Sequence, residues 1–201
     1  MRLNLNSVKL NPKSISITVL FFLISACAHP ITINPVKTPE RVETKLSPQR
    51  AAYVMTEDDR NKQVTTSGGG GDKITYYPYR DSEKAIRDAL RSVYTDVVAI
   101  KSTSDIESIK ENNISVVYTP TILTVSSSDS AFTWPPTYFR IELTCKVNDA
   151  NGKDLTVLKV SGIGNAEFSE FKINTGLAGS RATSDLSDKL SQEILKNPAL
   201  Y

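Results

Sequence analysis

The chain has 201 residues, of which 39% are hydrophobic and 23% charged, and its formal net charge is +2. This length suits one domain of ordinary size, and the near balance of charges gives no electrostatic case for nucleic acid, which requires a clustered basic face. One histidine and two cysteines exclude a disulfide-rich scaffold and most zinc sites.

The first 26 residues have the layout of a secretory signal. Arg2, Lys9 and Lys13 form a basic start, and an uncharged apolar run follows over residues 15–24. Ten residues are too few to span a hydrocarbon core of about 30 Å. Removing this segment leaves 175 residues with a net charge of −1, so the basicity belongs mostly to the signal.

The segment Leu23-Ile24-Ser25-Ala26-Cys27 resembles the lipobox of bacterial lipoproteins. The resemblance implies that Cys27 carries a diacylglyceryl group, that the signal is cut just before it, and that the new amino terminus is acylated. Three acyl chains anchor a protein to a membrane essentially permanently. The alternative is an ordinary signal peptide whose cleavage site lies near a cysteine.

The residues after Cys27 bear on which membrane holds the anchor. In the sorting rule of enteric-type lipoproteins, aspartate directly after the lipidated cysteine favours the inner membrane. Here Ala28 and His29 follow. The resemblance therefore implies lipid anchoring at the periplasmic face of the outer membrane.

Residues 27–48 are expected to form the lipidated cysteine and a flexible tether. The segment contains four prolines and little apolar periodicity. A proline-rich chain extends by about 3.1 Å per residue, so it would hold the domain up to roughly 60 Å from the lipid. A structured arm that packs on the domain is the alternative.

Residues 49–201 are expected to form a single periplasmic domain. Its first half predicts strands at residues 51–55, 73–77 and 97–100, a helix from Asp81 or Ser82, and a short helix after Ser104. The glycine run at 68–71 is a flexible loop, because neither G-K-[ST] nor a helix follows it, as a phosphate cradle would require.

The second half of the domain predicts three strands and a terminal helix. Residues 114–125 are rich in β-branched side chains, residues 138–147 alternate apolar and polar, and 155–168 form a returning strand with a bulge after Val157. The helix covers about 176–196. The predicted class is α+β, a mainly antiparallel sheet with helices packed on one face.

This order of elements is loosely similar to small periplasmic lipoprotein domains of the YajG-like type and to the N-terminal domain of the translocation protein TolB. The similarity rests on a helix before a short strand, Asn151-Gly152-Lys153 between two long strands, and a strand with Gly162 and Gly164 before the last helix. It implies an accessory or assembly role without shared chemistry, and it transfers no functional residue.

Catalytic groups are scarce in the predicted domain. General bases are most often histidine, and His29 lies outside it. Cys145 lies on the apolar face of a predicted strand, so we expect a buried thiol. No catalytic residue, metal site or cofactor is predicted, and the chain is not expected to be an enzyme.

Carboxylate pairs are considered separately, because glycosidases need no histidine. The candidates are Glu57-Asp58-Asp59, Glu167 with Glu170, and Asp149 with Asp154. One group follows an edge strand and another flanks a turn, where aspartate serves the backbone. Solvated surface residues are the expected interpretation.

The long loop between residues 126 and 137 contains the only tryptophan of the chain. Long loops in compact domains tend to be functional, and aromatic residues are enriched at binding hot spots. The alternative is that the loop folds back and caps the core. With a second aromatic cluster before the first helix, the candidate partner-binding residues are Phe132, Trp134, Pro135, Pro136, Tyr77 and Tyr79.

The sequence thus predicts a lipid-anchored periplasmic accessory protein that binds another component of the cell envelope. Its partners would be the membrane, through Cys27, and an envelope protein of unknown identity, with no nucleic acid. A carboxylate-based hydrolase of envelope glycans is the runner-up. A module that binds a small ligand between sheet and helices is the third interpretation.

Overall fold

The protein is described here by a computed structural model that covers residues 28–129, 134–170 and 173–201. Strands predominate in this part of the chain and form two sheets. The strands are β1 Ala28–Pro30, β2 Ser47–Val54, β3 Val64–Ser67, β4 Lys73–Tyr76, β5 Tyr94–Ile100, β6 Val116–Ser127, β7 Tyr138–Asp149 and β8 Asp154–Asn165. The α-helices are α1 Glu57–Asn61, α2 Pro78–Arg91, α3 Ile106–Glu111 and α4 Leu177–Leu195, and short 3₁₀ turns lie at Glu43–Lys45 and Pro198–Leu200.

The larger sheet has the strand order β5-β2-β6-β7-β8. Strands β6, β7 and β8 form the antiparallel meander that the sequence predicts. Strand β2, however, runs parallel to both of its neighbours, β5 and β6. Parallel neighbours need crossover connections, and here those connections contain α2 and α3. The sheet is therefore mixed, although most of its pairing is antiparallel.

The predicted phase of β7 is confirmed. Its alternate residues from Phe139 to Val147 are all buried, and Cys145 among them is fully enclosed. Successive side chains of a strand point to opposite faces, so this row fixes which face of the meander contacts the core.

The bulge in β8 lies earlier than predicted. Val147 pairs with Thr156 and Asn148 pairs with Asp154, which leaves Leu155 as the additional residue. The predicted bulge after Val157 rests on a change in the apolar alternation of the sequence. That change arises because the apolar residues Leu155 and Val157 are both exposed, and the strand register does not shift at Val157.

The two long helices cover the inner face of the larger sheet. Helix α4 packs on β7 and β8, and α2 packs on β5, β6 and α4. The two helices are joined by hydrogen bonds from Ser187 Oγ to the Ala85 carbonyl (2.8 Å) and between the Ser92 and Ser191 hydroxyls (2.6 Å). Their buried apolar residues share one core with the inner row of β7.

Two glycines of β8 allow α4 to approach the sheet closely. A Cβ atom at Gly162 would overlap the carbonyl of Ala182, and one at Gly164 would overlap the carbonyl of Ala178. Any side chain at either position would therefore push the helix away from the strand.

The expectation that all helices pack on one face is not met. Ile109 of α3 forms a second cluster with Ala52 of β2 and Val117 of β6. These strand residues alternate with neighbours that contact α2 and α4, so α3 lies on the opposite face. The short helix predicted after Ser104 is confirmed, but its cap is one residue later than the predicted capping box places it, since Asp105 rather than Ser104 accepts a hydrogen bond from the Ser108 N–H.

Residues 28–48 do not form the flexible tether that the prolines predict. Strand β1 pairs in parallel with β4, and Ile33 is fully buried against Gly179 of α4. The backbone N–H groups of Val36 and Lys37 donate to the Ser184 hydroxyl at 2.9 and 3.1 Å. The segment is a packed arm because Ile31 and Ile33 supply apolar anchors that offset the cost of ordering the chain.

The smaller sheet has the order β1-β4-β3. The sequence predicts β4 but not β3, which has mostly polar residues. Thr66 of β3 bonds to Ser126 of β6 (2.7 Å), and Tyr76 of β4 bonds to Thr124 of β6 (2.6 Å). These contacts attach the smaller sheet to one end of the meander.

Two helix starts differ from the prediction. Helix α1 is absent from the sequence-based assignment, yet Thr56 and Asp59 form a complete capping box at its start. Helix α2 begins at Pro78 rather than at Asp81 or Ser82, because proline has the helical φ and lacks only an N–H that would be unpaired there.

Candidate functional site

Three of the predicted partner-binding residues lie against the body of the domain rather than on a protruding tip. Trp134 is half-buried and packs on the main core, and Pro135 and Pro136 are buried. Phe132 lies outside the described residues. This placement fits the alternative in which the loop caps the core, and the predicted binding role stays untested.

Trp134 joins three segments that are distant in sequence. Its indole stacks on the imidazole of His29, with ring centroids 4.2 Å apart and planes 19° from parallel. Its carbonyl accepts a hydrogen bond of 2.9 Å from the N–H of Gly69, and His29 Nε2 lies 3.5 Å from Asp72 Oδ2. The arm, the β3–β4 turn and the loop that contains Trp134, here called the aromatic loop, therefore meet at one end of the domain.

The two predicted tyrosines also have partners within the domain. Tyr79 is buried, and its hydroxyl accepts a hydrogen bond of 3.2 Å from the Ile122 N–H. Tyr77 is half-buried, and the guanidinium of Arg80 lies 3.7 Å from its ring centroid. Trp134, Tyr77 and Tyr79, the predicted aromatic residues that the structure describes, do not combine into one exposed patch.

The arm is also held by a buried carboxylate, Asp81, for which the sequence predicts only a role at a helix start. Asp81 is 3% exposed, and it accepts hydrogen bonds from the backbone N–H groups of Tyr77 and Ile33. Burial raises the pKa of this carboxyl, while the hydrogen bonds and nearby Arg80 oppose the shift. Asp81 therefore links the start of α2 to the arm.

The candidate carboxylates are engaged in local structure. Asp59 caps α1, and Asp154 accepts hydrogen bonds from Asn148 and lies 2.9 Å from Lys146 Nζ. Glu170 forms a two-armed ion pair with Arg181, whose hydrogen bonds lower the pKa of the carboxyl to about 2. A glycosidase needs one carboxyl with a raised pKa as its acid, whereas the pKa values of Glu170 and Asp154 are lowered.

Nucleophile and metal chemistry find no support in the part of the chain that the structure describes. Burial raises the pKa of the Cys145 thiol to about 12, which leaves it inert as a nucleophile at neutral pH. Across the described ranges, no three His, Cys, Asp or Glu side chains group closely enough to hold a metal ion.

The outer face of the meander carries exposed apolar side chains that the sequence reasoning missed. Leu123 is 63% exposed and Val125 is 55% exposed on β6, and Ile163 of β8 is 43% exposed. The register places Val125, Arg140 and Ile163 in one row across the three strands. Arg140 and Glu142 form an ion pair along β7, between the apolar residues of the outer strands. We call this surface the open face.

The sequence does contain a signal for the open face. In Ile122-Leu123-Thr124-Val125, apolar residues occupy both phases of the strand. Ile122 is buried and Leu123 is exposed, so the second phase marks apolar side chains that the fold does not cover.

A hollow of about 450 Å³ lies beside the open face, between α3, the start of β6 and the end of β7. Thr119 lines it, and within the described residues its hydroxyl oxygen is buried without a hydrogen-bond partner. Lys146 and Asn148 also line it, but both are already paired with Asp154. Lys146 is the only charged residue of these three, and its pairing with Asp154 means that it is not free to bind a ligand in the hollow.

None of the helices that the structure describes is long and apolar enough to cross a membrane. Cys27, the predicted lipidation site, lies outside the described residues. Strand β1 begins with the next residue, Ala28.

No protein-family model matches the sequence, and no curated protein matches it. Among solved structures, a DUF330 protein of Xanthomonas campestris has a TM-score of 0.51 at 12% identity, covering 85% of this chain and 95% of its own. At this identity, the likeness establishes a shared fold and nothing about function.

Two more distant structures have TM-scores below 0.5. PelC of Paraburkholderia phytofirmans, a dodecamer, reaches 0.43 at 15% identity over 77% of this chain and 92% of its own. A Caulobacter crescentus protein provisionally described as a lipoprotein reaches 0.34 at 13% identity, over 66% and 86%. Neither likeness bears on the function of this protein.

Proposed function

We propose that this protein is a lipid-anchored accessory protein at the periplasmic face of the outer membrane, where it binds another envelope component without catalysing a reaction. The lipid would be attached at Cys27. The partner would be a protein, and its contact surface would be the open face rather than the predicted aromatic loop.

The observation that carries this proposal is the row of exposed apolar side chains on the open face. Leu123 and Val125 lie next to each other on one side of β6, and Ile163 lies across the sheet in the same row as Val125. Exposed apolar side chains grouped on one face with a few charged residues fit a protein interaction surface. Arg140 and Glu142 supply such charges within the face itself.

Chemical considerations also favour binding over catalysis. Two of the three candidate groups contain a carboxyl whose pKa is lowered, Glu170 by Arg181 and Asp154 by Lys146 and Asn148, whereas the acid of a glycosidase needs a raised pKa. The glycan hydrolase is therefore not retained as a second candidate.

The proposal is tested by site-specific photocrosslinking in cells. A photoreactive residue at position 123 should form an adduct with one defined envelope protein, whereas the same residue at position 195 should not. Leu195 is a matched control because it is also apolar and 46% exposed, but lies at the end of α4.

A substitution completes this test. Leu123→Asp should abolish recovery of the crosslinked protein through a second probe at Ile163, while changing the free energy of unfolding by no more than about 0.5 kcal/mol, as is usual at the surface. Equal recovery with Leu123→Asp and with Leu195→Asp would show that the open face is not the binding surface.

The lipid anchor is tested separately. Labelled fatty acid should enter the wild-type protein and not Cys27→Ser. Incorporation at the same level in both would contradict the lipoprotein assignment.

A further inference from the structure

We propose that the domain lies directly on the lipid surface in one fixed orientation, with the end that carries His29 and Trp134 against phospholipid. This inference rests on the proposed lipidation of Cys27. It concerns a second, non-covalent contact with the membrane, which neither the anchor nor the open face requires.

The first step is the length of chain between anchor and fold. Ala28, which directly follows the proposed lipidated cysteine, already pairs with Lys73 in β1. Only a few ångströms of extended chain are then available, since each residue spans about 3.3–3.6 Å. The proline-rich segment cannot serve as a spacer, because Ile31 and Ile33 are buried in the core.

The second step is to identify what lies at this end of the domain. Ala28 lies beside the β3–β4 turn, where Gly69 donates its N–H to the Trp134 carbonyl. Thr137, at the end of the same loop, accepts a hydrogen bond of 2.9 Å from the Ala166 N–H. The loop of residues 166–176, which follows β8, therefore begins at the same end.

The other end of that loop also lies beside the arm. Asn174 and Gly176 share the lining of one hollow with Pro30 and Thr32, and a Cβ atom at Gly176 would overlap the Thr32 carbonyl. The loop is held in place by the ion pair between Glu170 and Arg181. We call the surface formed by the described residues Ala28, His29, Gly69, Trp134, Phe168 and Ile173 the anchor end.

The third step is the apolar character of the anchor end. Ile173 is 93% exposed and Phe168 is 66% exposed, and both lie in the loop of residues 166–176. Exposed apolar side chains beside a short lipid anchor fit the boundary between headgroups and acyl chains, where peripheral proteins place such residues. A phospholipid surface is therefore the occupant that we assign to them.

The orientation has a consequence for the open face. Strand β7 starts at the anchor end and extends over twelve residues, or roughly 35–40 Å, to the turn that contains Asn151. The row of Val125, Arg140 and Ile163 lies two residues from the start of β7. The open face would thus be presented close to the membrane, and the turn would point away from it.

The test uses the full lipidated chain, reconstituted in vesicles of phosphatidylethanolamine and phosphatidylglycerol. An environment-sensitive fluorophore is attached to Ile173→Cys and, as the matched control, to Asn151→Cys at the far turn. The native Cys145 is buried and does not compete for the label. Ser169→Cys in the same loop replaces Ile173→Cys if that variant does not fold.

The expected result is a blue shift of the label at 173 on vesicle binding and loss of its emission when the lipids carry nitroxide groups. The label at 151 should show neither change. Flotation with vesicles, compared between the wild-type protein and Cys27→Ser, reports separately on the anchor.

Two results would overturn the inference, and they are distinguishable. If the protein floats through Cys27 but labels at 173 and 151 respond equally, the fixed orientation is wrong and the anchored function stands. If Cys27→Ser incorporates labelled fatty acid and floats as well as the wild-type protein does, the lipid anchor is wrong and the orientation, which rests on it, fails with it.

Discussion

The imidazole of His29 lies face to face with the indole of Trp134, at a centroid distance of 4.2 Å. This contact joins the second residue after the proposed lipidation site to a loop more than 100 residues later in the chain. Offset aromatic pairs of this kind contribute about 0.5–1.5 kcal/mol beyond the area that they bury. The stack therefore secures the start of the arm as well as the loop.

Trp134→Ala is expected to lower the free energy of unfolding by about 2 kcal/mol, roughly half of the 3–5 kcal/mol lost when a fully buried aromatic residue is truncated. The reason is that Trp134 is half-buried and packs on both the core and His29. Urea denaturation measures the loss.

A double-mutant cycle with His29→Ala separates the energy of the ring stack from the other contacts that Trp134 makes. The two single losses should exceed the loss in the double variant by about 0.5–1.5 kcal/mol, because both substitutions remove the same stack. Strictly additive losses would indicate that the rings do not interact. An unchanged midpoint in Trp134→Ala would restore the exposed-tip interpretation of the loop.

The close approach of α4 to β8 leads to a second prediction. Gly162→Ala should destabilise the protein by roughly 1–3 kcal/mol or more, because its Cβ would overlap the backbone of α4 at Ala182 and Leu186. Ser161→Ala is the neighbouring control and should change the free energy of unfolding by about 0.5 kcal/mol or less. Thermal melts of both variants measure the difference, and equal midpoints would contradict the packing described for α4.

The meander and the long helices could be predicted because their signals are local. The alternation from Phe139 to Val147 and the helical stripe from Ala85 to Leu90 each identify a buried face without knowledge of the partner. The sequence also shows the glycines in β8, but it does not show why glycine is needed there. The contact with Ala182 depends on how α4 crosses the strand.

The packing of the arm and strand β3 could not be predicted, and the sequence signals the open face only through apolar residues in both phases of β6, because each feature depends on contacts between distant segments. Pro30 and Pro39 indicate extended chain, and the arm is extended, but only Ile33 buried against Gly179 shows that it is packed. Leu123 looks like a core residue from sequence and becomes a surface residue because none of the helices that the structure describes covers that part of the sheet.

The ion pair of Glu170 with Arg181 predicts a specific dependence on pH. The folded-state pKa of Glu170 is lowered to about 2 from an ordinary value of 4.5, chiefly through hydrogen bonds from Arg181. A lowered pKa means that the unfolded chain binds the proton more tightly, so the stabilisation is complete above about pH 4.5 and is lost as pH falls toward 2.

Glu170→Gln should remove this part of the pH dependence. The stability difference between the wild-type protein and the variant is expected to be largest above about pH 4.5 and to vanish near pH 2. An NMR titration of the Glu170 side chain measures the pKa directly. A wild-type value near 4.5, unchanged in Arg181→Gln, would show that the ion pair does not hold the loop of residues 166–176.

Cys145→Ser is expected to destabilise the protein by roughly 1–3 kcal/mol, because a hydroxyl would replace a fully enclosed thiol on the inner face of β7. Cys145→Ala is the matched control, since it removes the sulfur without adding a polar group. It should lose only the packing of that sulfur.

The same residue provides a kinetic test of the fold. Because Cys145 is fully buried and its thiol pKa is raised to about 12, a thiol reagent should react with it only as fast as the domain opens, and the rate should rise steeply with urea. Binding of the partner at the open face should leave this rate unchanged or slow it, since it would stabilise the folded state. Immediate labelling of the native protein at neutral pH would show that the inner and outer faces of β7 are exchanged, and the open face would then have to be reassigned to the opposite row of side chains.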